Sequence, residues 1–211
     1  MTTFNTADSA LVMQVMHARR DVRGNRFLDT PIPAHCLEKI LDAALCAPSV
    51  GFSQPWKFVI VRDQRTKAAI KASFDTANAE ASALFAERQQ DYRALKLEGI
   101  TRAPLNIAVF YTPSDRPVLG QTSMPETGRD SVACAIQNMW LMARSLNIGL
   151  GWVSILDPLE VKRLLKAPAD SELVGYLCLG YVDYFYSQPE LEKRQWAERK
   201  KRSQIIFDES F

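Results

Sequence analysis

Four apolar segments of strand length, separated by helical stretches, constrain the fold of this chain more than any other feature of its sequence. They are residues 56–61, 104–111, 149–154 and 173–182. Helical patterns cover 37–45, 64–98 and 130–146, and Asp157-Pro158-Leu159-Glu160 predicts the start of another short helix. This alternation by itself favours a parallel, doubly wound sheet. No Gly-x-Gly-x-x-Gly turn follows the first strand, which argues against a Rossmann dinucleotide site.

Length and composition predict a single domain over residues 1–211. With 211 residues, 47% of them apolar, the chain can bury a full core without disulfide bonds. A formal net charge of +2 is too small to indicate nucleic acid as the partner. The cysteines show no Cys-x-x-Cys spacing and lie in apolar surroundings. We therefore expect buried free thiols at Cys36, Cys46, Cys134 and Cys178.

Neither a membrane signal nor a metal-binding pattern is present in the sequence. The first residues lack a basic region followed by an apolar one, and no uncharged apolar run reaches the roughly 18 residues that a bilayer requires. We therefore expect a cytoplasmic protein without a membrane partner. The only histidines, His17 and His35, have no carboxylate or thiol at ligand spacing, so we expect no bound metal.

Residues 19–23 read Arg-Arg-Asp-Val-Arg and follow a short amphipathic helix with apolar Leu11, Val12, Val15 and Met16. A guanidinium is planar and permanently charged, and it is the preferred side chain for holding a phosphate. Three of them on one helix face would repel one another unless an anion lay between them. The segment therefore predicts a phosphate site, and the alternative is a solvated basic turn.

Two later segments have the composition of ligand-contacting loops. Residues 47–56 read Ala-Pro-Ser-Val-Gly-Phe-Ser-Gln-Pro-Trp and join a helix to a strand. Their irregular backbone carries Ser49, Ser53 and Gln54, a common placement for ligand contacts. Residues 149–154 contain Gly149 and Gly151, which let backbone approach a flat ligand closely.

Together the three segments resemble the FMN-dependent nitroreductase superfamily, in which corresponding segments build one flavin site. The resemblance runs from about residue 10 to the C-terminus. It implies an α+β fold with a central mixed or antiparallel sheet flanked by helices. It also implies a homodimer, in which a C-terminal extension, residues 187–211, wraps around the partner subunit.

The resemblance further implies a set of FMN-binding residues. Arg19, Arg23 and Arg199 would hold the phosphate, with Arg202 as the alternative to Arg199. The remaining members contact the ring, the ribityl chain or the neighbouring backbone. The full set is Arg19, Arg20, Asp21, Val22, Arg23, Ser49, Ser53, Gln54, Leu105, Gly151, Ser154 and Arg199.

Asp21 lies where ordinary members of the superfamily usually carry serine. Together with Met124-Pro125-Glu126-Thr127 and residues 151–154, it is similar to the branch that consumes reduced FMN as a substrate. This implies an oxygen-dependent fragmentation to 5,6-dimethylbenzimidazole and erythrose 4-phosphate, which supplies the lower ligand of cobalamin. A separate flavin reductase would provide the reduced FMN. Asp21 would act as a base near the ribityl chain and Ser154 as a hydrogen-bonding partner.

Several alternatives remain open from the sequence. Asp21 can instead pair with Arg20 or Arg23, which would lower its pKa and weaken it as a base. The chain can be a conventional oxidoreductase that reduces nitro, quinone or halogenated aromatic compounds with NAD(P)H. It can also be a flavin carrier or a nucleic-acid-binding protein that uses the basic residues 199–202. Residues 64–98 are either a solvated helix or a mobile cover over the site.

Overall fold

A four-stranded antiparallel sheet lies between two helical layers in the computed structural model, which describes residues 2–211. The strands are β1 (Trp56–Val61), β2 (Leu105–Tyr111), β3 (Gly149–Val153) and β4 (Glu172–Gly180), in the spatial order β1-β2-β4-β3. The helices are α1 (Thr6–Ala18), α2 (Ala34–Leu45), α3 (Gln64–Leu84), α4 (Gln89–Ala94), α5 (Thr127–Ser145), α6 (Pro158–Leu165) and α7 (Glu190–Lys193). Every strand pairing in this sheet is antiparallel, which confirms the predicted α+β class.

The central strands β2 and β4 are apolar on both faces because helices cover both sides of the sheet. Ile107 and Val109 of β2 belong to the core beneath α2 and α5, whereas Ala108 and Phe110 belong to the core beneath α3 and α6. This period of two is the strand pattern in which successive side chains point to opposite faces. The long helix α5 buries the predicted apolar side, which consists of Val132, Ala135, Ile136, Met139 and Ala143.

The local boundaries agree with the sequence in most places and differ in two. Asp157 caps α6 as predicted, because its carboxylate accepts from the backbone N–H of Leu159 at 2.9 Å and of Glu160 at 3.3 Å. The helix predicted over 64–98 is interrupted at Phe85, where α3 ends and a short 3₁₀ turn precedes α4. The expected burial of the thiols is wrong for Cys46, which follows the end of α2, and for Cys134 on α5, because both are exposed.

The outer edge of β3 is covered by residues 21 and 22. Val22 donates its N–H to the Leu150 carbonyl at 3.0 Å, and Trp152 donates its N–H to Asp21 Oδ1 at 3.0 Å. Gly151 makes this approach possible, because a β-carbon at that position would overlap the Val22 carbonyl oxygen. The Arg-Arg-Asp-Val-Arg segment is therefore held against the edge of the sheet.

The surface helix α1 and the C-terminal end of the chain leave apolar side chains uncovered. None of the residues of α1 is buried, and Leu11, Val12, Met13 and Met16 are all exposed. Residues 197–211 are exposed throughout, including Ile205, Ile206 and Phe207. Within residues 2–211, no helix is both long enough and apolar enough to cross a membrane.

Candidate functional site

The arginine segment is extended and does not continue helix α1. The helix ends at Ala18, and Arg19 caps it with extended backbone at φ −63° and ψ 134°. The expectation that the arginines share a helix face is therefore wrong. Hydrogen bonding of residues 21 and 22 to β3 keeps the backbone extended, so successive side chains point in different directions.

Both ends of the chain contribute to a cavity of about 600 Å³ beside this segment. Its lining combines the end of α1, the arginine segment and the start of the C-terminal extension. The lining residues are Met16, His17, Arg19, Arg20, Asp21, Arg23, Ser187, Gln188, Pro189, Glu190, Leu191 and Arg199. We call this the arginine cavity. Of the two alternatives for the basic residue of the extension, Arg199 lines the arginine cavity and Arg202 is outside the described lining.

Positive charge is concentrated around Arg20 beyond what the neighbouring acids neutralise. Burial lowers the pKa of the Arg20 guanidinium, and repulsion from Arg19, Arg144 and Arg199 lowers it further, while Glu192 opposes the shift. The Nε of Arg20 is buried and has no hydrogen-bond partner within residues 2–211. An anion bound here would reduce the repulsion and offer an acceptor to an unsatisfied donor.

Two side chains of α5 support the arginine segment from below. The Trp140 ring lies under the Arg19 guanidinium at 4.8 Å, and its Nε1–H donates to the Arg20 carbonyl at 3.1 Å. One helical turn later, Arg144 donates to the Ala18 carbonyl at 3.0 Å. Neither residue belongs to the site set that the sequence predicts. Their spacing of four along one flank of the core stripe of α5 is the signal that would have indicated them.

Asp21 makes an ion pair with Arg23, one of the two partners left open by the sequence, and accepts the Trp152 N–H. The guanidinium of Arg20 donates instead to the carbonyls of His17, Arg19 and Ser187. Burial raises the pKa of the Asp21 carboxyl, and the opposing effects of Arg23 and the Trp152 N–H are smaller. Pairing therefore does not lower the basicity of Asp21 below that of an ordinary aspartate.

The loop between α2 and β1 has an unsatisfied polar group and strained backbone. Ser53 Oγ is buried without a hydrogen-bond partner in the described part of the chain, while Ser49 Oγ accepts the Gln54 N–H at 3.1 Å. Phe52 and Gln54 have positive φ values of 54° and 47°, a conformation that is costly for residues with a β-carbon. Such strain is concentrated at ligand-binding sites, and Phe52 is 82% exposed at the tip of the loop.

Within one chain, this loop and the arginine cavity lie at different places along α5. The loop is attached near Ser131, which receives the Val50 N–H, and the arginine segment is attached at Trp140. Nine residues separate these two positions, which corresponds to about 14 Å along a helix. The loop side chains Ser53 and Gln54 line a separate cavity of about 170 Å³.

The structure thus brings together five of the predicted site residues and places the others elsewhere. Arg19, Arg20, Asp21, Arg23 and Arg199 line the arginine cavity. Val22 and Leu105 are buried in the core, and the space beside Gly151 is filled by the Val22 backbone. Ser154 is exposed just beyond the end of β3, and Ser49, Ser53 and Gln54 belong to the distant loop.

Comparison with known proteins gives a match to the nitroreductase family over residues 16–181. The chain belongs to the nitroreductase family. Among curated nitroreductase-family relatives, a 5,6-dimethylbenzimidazole synthase of Rhodospirillum rubrum is 45% identical over 185 residues, covering 86% of this chain and 87% of the relative. A protein of the same name from Rhodobacter capsulatus is 40% identical over 188 residues, covering 88% and 90%.

Solved structures of other proteins have the same fold. Iodotyrosine deiodinase bound to FMN and 3-iodo-L-tyrosine has a TM-score of 0.73 at 22% identity and covers 95% of this chain and 99% of its own. A nitroreductase with bound FMN from Bacteroides fragilis has a TM-score of 0.67 at 24% identity, covering 94% and 98%. At these identities the likeness establishes the nitroreductase fold alone.

Proposed function

We propose that the protein is a 5,6-dimethylbenzimidazole synthase that fragments reduced FMN with dioxygen and supplies the lower ligand of cobalamin. The observation that carries the proposal is the Asp21 carboxylate in the wall of the arginine cavity, between Arg19 and Arg23 in sequence. A carboxylate beside a phosphate site is unnecessary for hydride transfer, but it serves a reaction that removes protons from the ribityl chain. The names of the relatives from Rhodospirillum rubrum and Rhodobacter capsulatus support the same reaction.

The groups of the arginine cavity fit the phosphate of FMN. Arg19, Arg23 and Arg199 line the cavity, and the buried Nε of Arg20 has no partner among the described residues. A phosphate dianion would be stabilised by about 1.5–3 kcal/mol for each charge-assisted hydrogen bond. The terminal phosphate of FMN suits this arrangement, so we propose FMN, and not FAD, as the ligand.

The chemistry assigned to bound reduced FMN is oxidation by dioxygen with cleavage of the bond between ribityl carbons 1′ and 2′. Carbon 1′ would become carbon 2 of the benzimidazole by forming a bond to the second of the two central ring nitrogens. The bonds from these nitrogens to the pyrimidine part of the flavin would break and release that part, and the remaining four ribityl carbons would leave as erythrose 4-phosphate. Asp21 would accept a proton from the ribityl chain once Arg23 turns from the carboxylate toward the ligand. The Trp152 N–H would keep the carboxylate oriented throughout. Ser154 would offer its exposed hydroxyl near the ring.

The proposed function can be tested by following the chemical fate of the flavin. Reduced FMN labelled with ¹³C at carbon 1′ is prepared anaerobically, mixed with the protein and exposed to air. We expect the label in 5,6-dimethylbenzimidazole, with one erythrose 4-phosphate formed per flavin lost, as measured by mass spectrometry. Reactions without protein and with oxidised FMN are the controls. Full recovery of FMN while NAD(P)H reduces a nitroaromatic compound would instead assign a conventional nitroreductase.

We further propose that the protein acts as a homodimer supplied with reduced FMN by a separate reductase. The exposed apolar residues of α1 and the exposed Ile205, Ile206 and Phe207 form surfaces that a second copy would cover. The protruding loop with Phe52 lies apart from the arginine cavity of its own chain and is free to reach a partner. The C-terminal extension, residues 187–211, would wrap around that partner.

Charges introduced on α1 are expected to separate the two subunits. Leu11→Glu combined with Val12→Glu would bury two unpaired carboxylates in the interface, which costs several kcal/mol. We expect a dimer for the unaltered protein and a folded monomer with weakened FMN binding for the double variant, as measured by sedimentation velocity and titration calorimetry. Ser9→Glu combined with Gln14→Glu adds the same charge at exposed polar positions of α1 and should remain dimeric. A monomeric unaltered protein would refute the assembly.

A further inference from the structure

The C-terminal extension has one half-buried aromatic side chain beyond the arginine cavity, Trp196. Residues 187–191 line the cavity, but the chain from Lys193 to Gln195 is exposed and so is everything after Trp196. Trp196 itself is half-buried. A single covered aromatic residue in an otherwise exposed segment indicates a specific attachment point.

Arg88 provides that attachment, from the short 3₁₀ turn between α3 and α4. Its guanidinium donates to the Trp196 carbonyl at 3.1 Å and to the Gln195 carbonyl at 3.3 Å. The same guanidinium lies over the Trp196 ring at 4.1 Å. One side chain therefore holds both the backbone and the ring of the extension, a combination that lysine cannot reproduce.

The surface that receives Trp196 consists of two aromatic rings that contact each other. The ring meets Phe85 edge-on at 5.3 Å and Tyr92 at 6.2 Å, and these two rings stack on each other at 5.1 Å. Tyr92 is buried and its hydroxyl donates to Asn78 Oδ1 at 2.9 Å, which ties the cluster to α3. We call Arg88, Trp196 and these two rings the latch.

The latch shortens the flexible segment, here called the tether, between Arg199 and the preceding attachment point of the extension. Three residues separate Trp196 from Arg199, whereas eight separate Arg199 from Leu191, the preceding residue of the extension that lines the arginine cavity. Three residues reach at most about 10 Å and eight reach about 28 Å. Proximity of Arg199 to Arg20 is repulsive in the absence of an anion, so a tether that opposes this repulsion has a definite use.

We propose that Arg88 and Trp196 are positioning residues that hold Arg199 in the arginine cavity and thereby increase the affinity for phosphate-bearing flavin. This inference rests on the proposed FMN site. The entropic cost of bringing the ends of a flexible chain together grows as three-halves of the logarithm of its length. Lengthening the segment that carries Arg199 from three to eight residues therefore reduces the local concentration of Arg199 about fourfold. The latch is thus expected to increase the affinity for FMN about fourfold or more. The upper limit of this increase is the whole contribution of Arg199 to FMN affinity.

The test compares two ligands that differ only in the phosphate. Affinities of reduced FMN and reduced riboflavin are measured anaerobically by titration calorimetry for Trp196→Ala, Arg88→Ala and the full-length unaltered protein. We expect about fourfold or greater weakening for FMN, no change for riboflavin and partial recovery in Trp196→Phe. Arg93→Ala removes one exposed charge from α4 without altering a latch residue, and it should behave as the unaltered protein.

A double variant separates positioning from general damage to the fold. If the latch acts through Arg199, Trp196→Ala should cause no further loss of FMN affinity in an Arg199→Ala background. Equal weakening of FMN and riboflavin, additive losses in the double variant, or absence of FMN binding by the unaltered protein would each overturn the proposal. Because no turnover is measured, a protein that binds FMN but forms no benzimidazole would refute the proposed function and leave the latch standing.

Discussion

Asp21→Asn is expected to bind reduced FMN with nearly unchanged affinity and to form 5,6-dimethylbenzimidazole at least about 100-fold more slowly. General base catalysis contributes about 10²- to 10⁴-fold, and an amide has no basic oxygen at neutral pH. The asparagine oxygen can still accept the Trp152 N–H, so residues 21 and 22 remain bonded to β3. Binding and chemistry should therefore separate, as measured by calorimetry and by single-turnover product analysis.

Stability measurements provide the control for this variant. Burial raises the pKa of the Asp21 carboxyl, so the folded protein holds this proton more tightly than the unfolded chain does. Stability consequently falls as pH rises from the unfolded pKa through the folded one, and the ionised side chain carries a penalty at neutral pH. Asp21→Asn should unfold at the same or a higher temperature than the unaltered protein at pH 7, and the difference should shrink on acidification. Asp29→Asn, at an exposed position, is the matched control.

Unaltered turnover in Asp21→Asn would show that this carboxylate serves only to pair with Arg23. In that case the ion pair would orient the arginine segment, and the base would have to be sought elsewhere. A loss of FMN affinity as large as the loss of rate would give a different answer. It would mean that the charge of Asp21 organises the arginine cavity before any chemistry begins.

Gly151→Ala is expected to lower the free energy of unfolding by about 3–5 kcal/mol. Forcing a methyl group into a filled space costs about 1–3 kcal/mol, and each hydrogen bond lost adds about 1 kcal/mol. The new methyl would overlap the Val22 carbonyl, which is backbone and has no rotamer by which to move away. Separation of the two segments would break the Val22–Leu150 and Asp21–Trp152 hydrogen bonds together.

Urea unfolding and FMN titration measure the two consequences of this change. We expect a lower unfolding midpoint and weakened FMN binding, because the arginine segment loses its attachment to the sheet. Gly128→Ala is the matched control, since its methyl meets the side-chain ends of Gln121 and Tyr111 and since alanine favours the helix α5. A small effect of Gly151→Ala would show that the edge of β3 is loosely covered.

Local features of this fold were predictable from the sequence because local physics determines them. The strands follow from apolar segments of strand length, and the start of α6 follows from Asp157 and Pro158. The direction of the strands did not follow in this way. The alternation of helices and strands favoured a parallel sheet, and only the family resemblance indicated the antiparallel one.

The inner arrangement of the site was less predictable because it depends on contacts between distant segments. The sequence left two possible ion-pair partners for Asp21, Arg20 and Arg23. In the structure Asp21 pairs with Arg23, and the Trp152 N–H at the edge of β3 donates to the same carboxylate. Glycine at position 151 suggested room for a ligand, whereas the room is taken by Val22. The contacts of Trp140 with Arg19 and with the Arg20 carbonyl could not be predicted, because a tryptophan on a helix is indistinguishable in sequence from a core residue.

The arginine cavity is built from residues near both ends of the chain, and this affects the order in which the protein can mature. Residues 16–23 leave the ribosome first, but Arg199 follows roughly 180 residues later. At a synthesis rate of about 5–20 residues per second, Arg199 is added roughly 10–35 s after residues 16–23. A chain that ends before Arg199 therefore lacks part of the cavity wall, and it should gain less stability from a bound flavin than the longer chain does. Binding of the ligand would then favour chains whose synthesis has passed Arg199.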